Sequence, residues 1–230
     1  LEDKFRMQDR LASIGELAAS IAHEIRNPLA AISGAIQLLE KDESASPEDK
    51  KLQNIVHREI ERLNALISDF LNYARPPSPN LTKTNLQELC NDVVFMLEKD
   101  ERFLNNNIET AFDTKATFAH VDKEQMQQVL WNLLMNALEA SQGQEKVKLT
   151  LETNGTEKSS ILIKVFDSGP GVSKDIRERI FEPFVTDKVN GTGLGLAMAH
   201  RAVLAHRGSI EILDNQPSGS IFVISLPLSA

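Results

Sequence analysis

The sequence has a single cysteine, Cys90, and aromatic residues make up only 5% of it. One cysteine excludes an internal disulfide and a cysteine-based metal cluster, and it fits a reducing compartment. No apolar run approaches the ~20 residues that span a bilayer. No signal-peptide pattern opens the chain. We therefore expect a cytoplasmic segment that makes no membrane contact of its own.

The chain also lacks an excess of positive charge. Lys and Arg number 25 against 33 Asp and Glu, which gives a net charge of −8, and both halves are negative. A nucleic-acid-binding surface needs clustered Lys and Arg, so we expect no nucleic-acid partner. The 230 residues suffice for one large domain or two small ones. Because the chain starts at Leu1 in a charged, helix-favouring run, we expect an upstream part to be missing.

Two stretches near the N-terminus carry apolar residues at alternating spacings of three and four, which is typical of helices that pair with other helices. The first contains Leu11, Ile14, Ala18, Ile21, Ile25, Leu29, Ile32, Ile36 and Leu39, and the second contains Leu52, Val56, Ile60, Leu63, Ile67, Phe70 and Ala74. A polar loop at 41–45 joins them into an antiparallel hairpin. A lone hairpin leaves its apolar stripes half covered. We therefore predict a homodimer through residues 1–75 that forms a four-helix bundle.

Proline residues mark the boundaries of this segment. Ser46 followed by Pro47 and acidic residues is a strong helix start. The run Pro76-Pro77-Ser78-Pro79 cannot continue a helix and reads as a stiff linker. We predict a helical hairpin over 1–75, a linker over 76–83 and an α/β domain over 84–230.

The first helix contains a possible nucleophile, His23, on the flank of the apolar stripe. An isolated histidine is most often an ordinary surface residue. Here Glu24 is adjacent and can orient the imidazole and accept its proton, which activates the ring nitrogen. Asn27 follows one turn later on the same face, and Pro28 predicts a bend beside them.

The second segment contains a row of amides on a helix that we expect Asp122 to cap. Gln128, Asn132 and Asn136 recur every four residues, with Glu139 nearby. The row could simply be a solvated face. It could also supply oxygen ligands for a hard cation such as Mg²⁺, which bridges to phosphates. Upstream of it, Thr84-Asn85-Leu86-Gln87 fits a capping box.

Two glycine-rich stretches follow. Asp167, Gly169 and Gly171 come directly after a predicted strand over 160–166, where a carboxylate can accept a hydrogen bond from a base amine. The glycines of 191–196 allow close phosphate approach, and the next helix offers its N-terminal N–H groups to anions. This cluster is neither a Walker A loop nor a dinucleotide fingerprint, so it is weak support by itself.

Five motifs in order resemble those of the sensor histidine kinases of two-component systems. The H, N, G1, F and G2 boxes of that family are similar to Ser20–Leu29, Gln128–Ala137, Asp167–Gly171, Phe181–Phe184 and Gly191–Leu196. The resemblance implies an α+β chain: a dimerising phosphotransfer hairpin followed by a GHKL ATP-binding sandwich. The short stretch before Gly191 is similar to the nitrogen-regulation and type IV pilus sensors.

Site roles follow from the resemblance position by position. In the hairpin, His23 would accept the phosphoryl group, with Glu24 as its acid/base partner. In the second domain, Asn136 would ligate Mg²⁺, and Asn132 would lie close to the phosphates. Asp167 would bind the adenine amino group. The remaining nucleotide contacts implied are Gly169, Gly171, Thr192, Gly193, Leu194 and Gly195.

One departure from the family concerns the end of the N box. Many relatives carry a basic or aromatic residue there, whereas this chain has Glu139-Ala140-Ser141. We assign no phosphate-binding cation to that helix. Lys188, in the lid, is the residue that we expect to reach the γ-phosphate.

The implied function is ATP- and Mg²⁺-dependent autophosphorylation of His23, followed by transfer to an aspartate of a response regulator receiver domain. The family's phosphatase motif places Thr or Asn four residues after the histidine, and Asn27 fits it. Two rivals remain at this point. A gyrase- or chaperone-type ATPase would give His23 no role, and a pseudokinase scaffold would only bind nucleotide.

Overall fold

The computed structural model describes residue 25 and the ranges 27–30, 32–36, 46–74, 76–100, 108–113, 118–141, 147–154, 160–188 and 191–227. His23, Glu24 and the predicted loop at 41–45 lie outside the described residues. The chain divides into two compact units, Leu1–Pro77 and Ser78–Ala230. Each unit is described by itself below.

The first unit is helical where it is described. Residues 27–30 and 32–36 are in helical conformation, and helix α1 covers Pro47–Ala74. The predicted helix start at Ser46 is confirmed, because Ser46 Oγ accepts a hydrogen bond from the Asp49 N–H at 3.1 Å. The Asp49 carboxylate in turn accepts from the Ser46 N–H at 3.2 Å. This reciprocal pair satisfies two otherwise unpaired donors.

The predicted apolar stripe of α1 is unevenly covered. Ile60 and Ala74 are buried, while Leu52 is 60% and Leu63 is 43% exposed. Gln53, outside the predicted stripe, is buried. The single chain therefore leaves large apolar side chains of α1 in contact with water. Of the helices that the structure describes, none is long and apolar enough to cross a membrane.

The second unit is built on a five-stranded mixed sheet. Its strands are β2 (Ile108–Phe112), β4 (Val147–Asn154), β5 (Ser160–Phe166), β6 (Ser209–Asp214) and β7 (Ser220–Pro227). They lie in the order β2-β4-β5-β7-β6. The β2–β4 pair is parallel, and the other neighbours are antiparallel. The predicted hairpin of β4 and β5 is confirmed.

A second, two-stranded sheet pairs β1 (Thr82–Asn85) with β3 (Phe118–Val121) in antiparallel fashion. We did not predict β1, and its first two residues fall in the stretch that we assigned to the linker. The segment Thr-Lys-Thr-Asn has no apolar alternation to indicate a strand. Pairing with a strand more than thirty residues away creates it.

Helix α2 covers Leu86–Glu98, and its cap is one residue later than the predicted capping box implies. Asn85 Oδ1 accepts from the backbone N–H groups of Gln87 and Glu88, at 3.1 and 3.3 Å. Thr84 belongs to β1 instead and is buried there. Asparagine is as good a cap as threonine, so the helix start is kept while the capping residue changes.

Helix α3 covers Lys123–Ala140, and its predicted cap, Asp122, accepts from the Gln125 N–H at 3.0 Å. Burial raises the pKa of the Asp122 carboxyl, but backbone N–H donors, Gln125 first, outweigh burial and lower it. Nε2 of His206 accepts from the Asp122 backbone N–H at 2.9 Å. His206 therefore has a structural role.

The remaining helices in the described part of this unit are α4 (Lys174–Arg177) and α5 (Gly195–Ala205). Alternate residues of the central strands point into one core with α2, α3 and α5, as the period of two requires. The strand residues in this core include Val147, Leu149, Leu151, Ile161, Ile163, Val165, Phe222, Ile224 and Leu226. Helix α3 therefore lies against the sheet with one face buried and its amide row half open.

Candidate active site

A cavity of about 650 Å³ opens beside α3 in the second unit. Its walls come from α3, the segment after β5, residues 185–188 and 191–193, which we call the lid, the start of α5 and the start of β7. Eight of the residues predicted from the sequence line it: Asn132, Asn136, Asp167, Gly171, Lys188, Thr192, Gly193 and Gly195. Residues scattered over sixty positions of the sequence thus meet in one concave site.

Asp167 is buried, with 4% of its surface exposed. Its Oδ1 accepts hydrogen bonds from the Gly169 N–H at 2.9 Å and the Ser220 N–H at 3.1 Å. Both bonds end on Oδ1, so neither uses the acceptor capacity of Oδ2. Burial raises the pKa of this carboxyl, and the two N–H donors and the charge of Lys188 offset the effect only in part. Asp167 is thus a fixed, desolvated acceptor.

The backbone around Asp167 is held by the turn between β6 and β7. The Asp167 N–H donates to the Ser220 carbonyl at 2.9 Å, and Asn215 Nδ2 donates to the Asp167 carbonyl at 2.7 Å. Gly219 has φ +107°, and a Cβ there would lie 2.0 Å from the Asp167 carbonyl oxygen. Only glycine fits this approach.

Ser220 and Asn215 are site residues that the sequence reasoning missed. They are separated from Asp167 by 53 and 48 positions, and neither belongs to a motif that we identified. The only available signal was the Ser218-Gly219 pair before the last strand, which is typical of a tight turn.

The two glycines after Asp167 differ in role. Gly171 has φ +78° and lines the cavity. Gly169 is not among the lining residues. A Cβ at Gly169 would lie 2.8 Å from the Cβ of Ala140, so this glycine lets the strand end approach the end of α3. Gly169 thus has a packing role and donates its N–H to Asp167, and its nucleotide contact stays a prediction.

The amide row is partly a set of structural contacts. Gln128 Nε2 donates to Asn132 Oδ1 at 3.3 Å, and Asn132 Nδ2 donates to the carbonyl of Gly195 at 3.2 Å. Asn132 therefore connects α3 to the first residue of α5. Asn136, one turn further along, faces the cavity and the lid.

Lys188 of the lid donates to two oxygens of α3. Its Nζ lies 2.8 Å from Asn136 Oδ1 and 2.5 Å from Glu139 Oε2. A cation is therefore already held by the amide that we expect to ligate Mg²⁺. Amide and carboxylate oxygens are ligands that Mg²⁺ prefers, so the residues present fit this ion.

The base of the lid is closed by backbone contacts. The Phe184 N–H donates to the Gly193 carbonyl at 3.0 Å. Phe184 has φ 65° and Gly193 has φ 66°, and a Cβ at Gly193 would lie 2.5 Å from the Phe184 carbonyl carbon. Leu194 is 1% exposed and is not among the residues that line the cavity. Its predicted nucleotide contact stays a prediction. Thr192 Oγ1 accepts from the Leu194 N–H at 3.2 Å.

Asn27, in the first unit, is exposed on its helix.

No cluster of three or more His, Cys, Asp or Glu side chains that could hold a metal occurs among the described residues.

Two family models match the chain. The "His Kinase A (phospho-acceptor) domain" matches residues 13–79. The "Histidine kinase-, DNA gyrase B-, and HSP90-like ATPase" matches residues 121–230. The two matches follow each other along the chain without overlap.

Curated relatives match over the whole chain. Sporulation kinase D of Bacillus subtilis is 38% identical over all of this chain and 45% of its own length. The sensor histidine kinase ZraS of Salmonella typhimurium is 32% identical over all of this chain and 49% of its own length. The chain thus spans about half the length of these relatives.

Solved structures of histidine kinases are also similar to this chain. Full-length ShkA in complex with AMPPNP is 26% identical, with a TM-score of 0.76 over 94% of this chain and 46% of ShkA. The catalytic domain of the histidine kinase ThkA is 32% identical, with a TM-score of 0.57 over 64% of this chain and 95% of that one. ThkA in complex with the response regulator TrrA is 30% identical, with a TM-score of 0.70 over 99% of this chain and 66% of that one.

Together with the fold and the cavity, these matches define a helical segment followed by a GHKL-type α/β domain. The chain belongs to the sensor histidine kinases of two-component systems.

Proposed function

We propose that this chain binds MgATP in the α3–lid cavity, phosphorylates His23, and passes the phosphoryl group to an aspartate of a response regulator. The observation that carries the proposal is that one cavity contains both the buried acceptor Asp167 and Asn136, whose amide oxygen holds the ammonium group of Lys188. Such a site has an acceptor for a base amine and groups suited to a charged phosphate chain. The relatives ShkA, bound to AMPPNP, and ThkA, bound to a response regulator, support the same assignment.

In the proposed nucleotide complex, Oδ2 of Asp167 accepts a hydrogen bond from the adenine amino group while Oδ1 stays on the Gly169 and Ser220 N–H groups. The phosphates lie towards Asn132, Gly193 and Gly195, and Gly195 has no side chain that would obstruct their approach. Asn136 would hold Mg²⁺, which when bound would supply positive charge against the phosphate oxygens.

The transfer step requires a nucleophile and a proton acceptor. A ring nitrogen of His23 attacks the γ-phosphorus, and the bond from that phosphorus to the β-γ bridging oxygen breaks to release ADP. Glu24 takes the proton from the imidazole. Lys188 meets negative charge on the transferring oxygens. Apart from His23, no protein group bonds to phosphorus. The other groups act by positioning and by neutralising charge, so their placement supplies most of the acceleration.

We further propose that the chain is a homodimer through residues 1–75 and that residues 76–83 link this hairpin to the catalytic domain at 84–230. We also propose that the subfamily is that of the nitrogen-regulation and type IV pilus sensors. Exposure of Leu52 and Leu63 in the single chain supports the dimer. Asn27, exposed on its helix, positions water for hydrolysis of the regulator's aspartyl phosphate. This reaction gives the chain a second, opposing activity.

Incubation with γ-labelled ATP and Mg²⁺ separates this function from its rivals. The kinase retains label on the protein and hands it to a receiver domain from a panel of response regulators. Rapid phosphate release without protein label would identify an ATPase of the gyrase or chaperone type. Nucleotide binding with neither activity would identify a scaffold. An Asn27→Ala variant should keep autophosphorylation and lose the dephosphorylation of the regulator.

A further inference from the structure

The proposed mechanism gives no role to Glu139, a charged residue that lines this cavity. It lies three residues after Asn136 on α3, so the two side chains share a helix face. Asn136 Oδ1 and Glu139 Oε2 converge on one atom, Nζ of Lys188, at 2.8 and 2.5 Å. All three residues line the cavity.

An ordinary surface ion pair is the simplest explanation of the Lys188–Glu139 contact. Such pairs contribute little to stability and are common on exposed helices. Two features separate this pair from that class. The lysine is shared with the amide expected to bind the metal, and it belongs to the lid, whereas its acceptors belong to the wall opposite.

The chemistry of the two acceptors is that of a small cation site. An amide oxygen and a carboxylate oxygen that point at one position suit a hard divalent ion better than a lysine, which is a compact charge on a flexible four-carbon stem. One ammonium and one Mg²⁺ cannot occupy that position together, because both are cations that need the same oxygens.

We propose that Asn136 and Glu139 form one cation site, which Lys188 fills in the nucleotide-free protein and leaves when a magnesium nucleotide binds. The inference rests on the proposed function, because it deepens the assignment of Mg²⁺ to Asn136. Its consequence is an order of events. Lys188 becomes available to the γ-phosphate only after the metal nucleotide has displaced it from α3.

The test uses MgADP, because ADP lacks the γ-phosphate and so removes the contact proposed for Lys188 in the transfer step. At a fixed ADP concentration, Mg²⁺ is titrated and the midpoint is read by calorimetry and by fluorescence of Trp131. Trp131 is the only tryptophan in the sequence and lines the cavity. Neither readout depends on catalysis.

Two substitutions should shift the midpoint in opposite directions. Glu139→Gln should raise the required Mg²⁺ concentration about tenfold, the low end of what loss of a group supporting a metal site costs. Lys188→Met should lower it about threefold, because the competing ammonium is gone. Glu124→Gln, on the same helix, and Lys83→Met remove the same charges away from the cavity and should leave the midpoint unchanged.

The outcomes separate this inference from the function beneath it. If ADP binds the wild type but Glu139→Gln has the midpoint of Glu124→Gln, or a lower one, Glu139 is not part of the site. If Lys188→Met has the midpoint of Lys83→Met, the exchange is wrong. If the wild type binds no ADP with or without Mg²⁺, the proposed function itself fails. Unfolding midpoints measured without nucleotide verify that all four variants are folded.

Discussion

Asp167 combines two demands that oppose each other at the level of a single residue. Its burial gives a ligand amine a desolvated acceptor, and the same burial disfavours the charged form and raises the pKa of the carboxyl. The Gly169 and Ser220 N–H groups fix Oδ1. Binding sites that bury a charge in the absence of ligand commonly lower the free energy of unfolding of the protein.

Replacing Asp167 by Asn should weaken ATP binding about 10–100-fold. The amide keeps an oxygen for the Gly169 and Ser220 N–H groups but loses the charged acceptor for the adenine amine. Hydrogen bonds to charged groups contribute about 1.5–3 kcal/mol. Calorimetry on the whole chain measures the change, with the exposed Asp175→Asn as a matched control. An affinity equal to that of the control would show that the adenine assignment is wrong.

The same substitution makes a prediction about pH. Because the folded pKa of Asp167 is raised, the folded state binds more protons than the unfolded state between pH 3.8, the ordinary value, and the raised pKa. Asp167 therefore lowers the free energy of unfolding as pH rises through that window.

At pH 7, Asp167→Asn should accordingly be more stable than the wild type in the absence of nucleotide. The difference should shrink as pH falls through the raised pKa towards 3.8. Urea unfolding at several pH values measures it. A variant less stable than the wild type at pH 7, or a gap that does not change with pH, would count against this reading of the carboxyl.

Sequence reasoning identified Asp167 and Asn136 because local motifs surround them. It could not identify what holds them. Ser220 and Asn215 reach Asp167 from a distant turn, and the Glu139–Lys188 contact joins two segments 49 positions apart. A contact between residues remote in sequence leaves no periodicity or spacing to detect. The burial of Leu194 likewise depends on residues remote in sequence, so its motif alone does not predict it.

At the scale of elements, the lid depends on the closure of its base. Phe184 and Gly193 both have positive φ and share a backbone hydrogen bond. Gly193 packs so closely on the Phe184 backbone that no side chain fits between them. The next residue, Leu194, is buried, so a displacement of this backbone reaches the core.

Gly193→Ala should therefore lower the free energy of unfolding by at least about 1–2 kcal/mol, the cost of a left-handed conformation for an L-residue, with the clash against Phe184 in addition. Gly195→Ala is the matched control, because the nearest atom to its new Cβ is 3.8 Å away. Urea unfolding compares the two. Equal stabilities would mean that the lid base tolerates a side chain.

Elements with strong periodicity and clear caps were predicted well. Helix α3 begins after Asp122, as expected, and the β4–β5 hairpin is present. Strand β1 was missed because its polar residues carry no alternation and only pairing with β3 makes them a strand. The same strand explains why Asn85 caps α2 and not the predicted Thr84, because Thr84 pairs with β3.

At the scale of the whole molecule, the hairpin prediction implies association. Pairing of two chains would cover Leu63, which lies on the predicted stripe and is 43% exposed. A Leu63→Asp change would place a charge in that interface and should weaken the dimer about 100-fold, from a penalty of about 3 kcal/mol. Sedimentation equilibrium measures it.

Asn54→Asp is the matched control for this experiment. Asn54 lies nine residues before Leu63 and therefore on the opposite face of the same helix. The added negative charge should leave the dimer intact. A wild type that sediments as a monomer, or a Leu63→Asp variant as tightly associated as the control, would contradict the bundle.

The central claim is that ATP bound in the cavity phosphorylates His23. Incubation with γ-labelled ATP and Mg²⁺ should label the wild type in a form that is labile in acid and stable in base. The label should be lost in His23→Gln and kept in His57→Gln, which removes a histidine of α1 that pairs with Glu61. Label of the same stability retained in His23→Gln, or absent from the wild type under conditions where it binds nucleotide, would contradict the account.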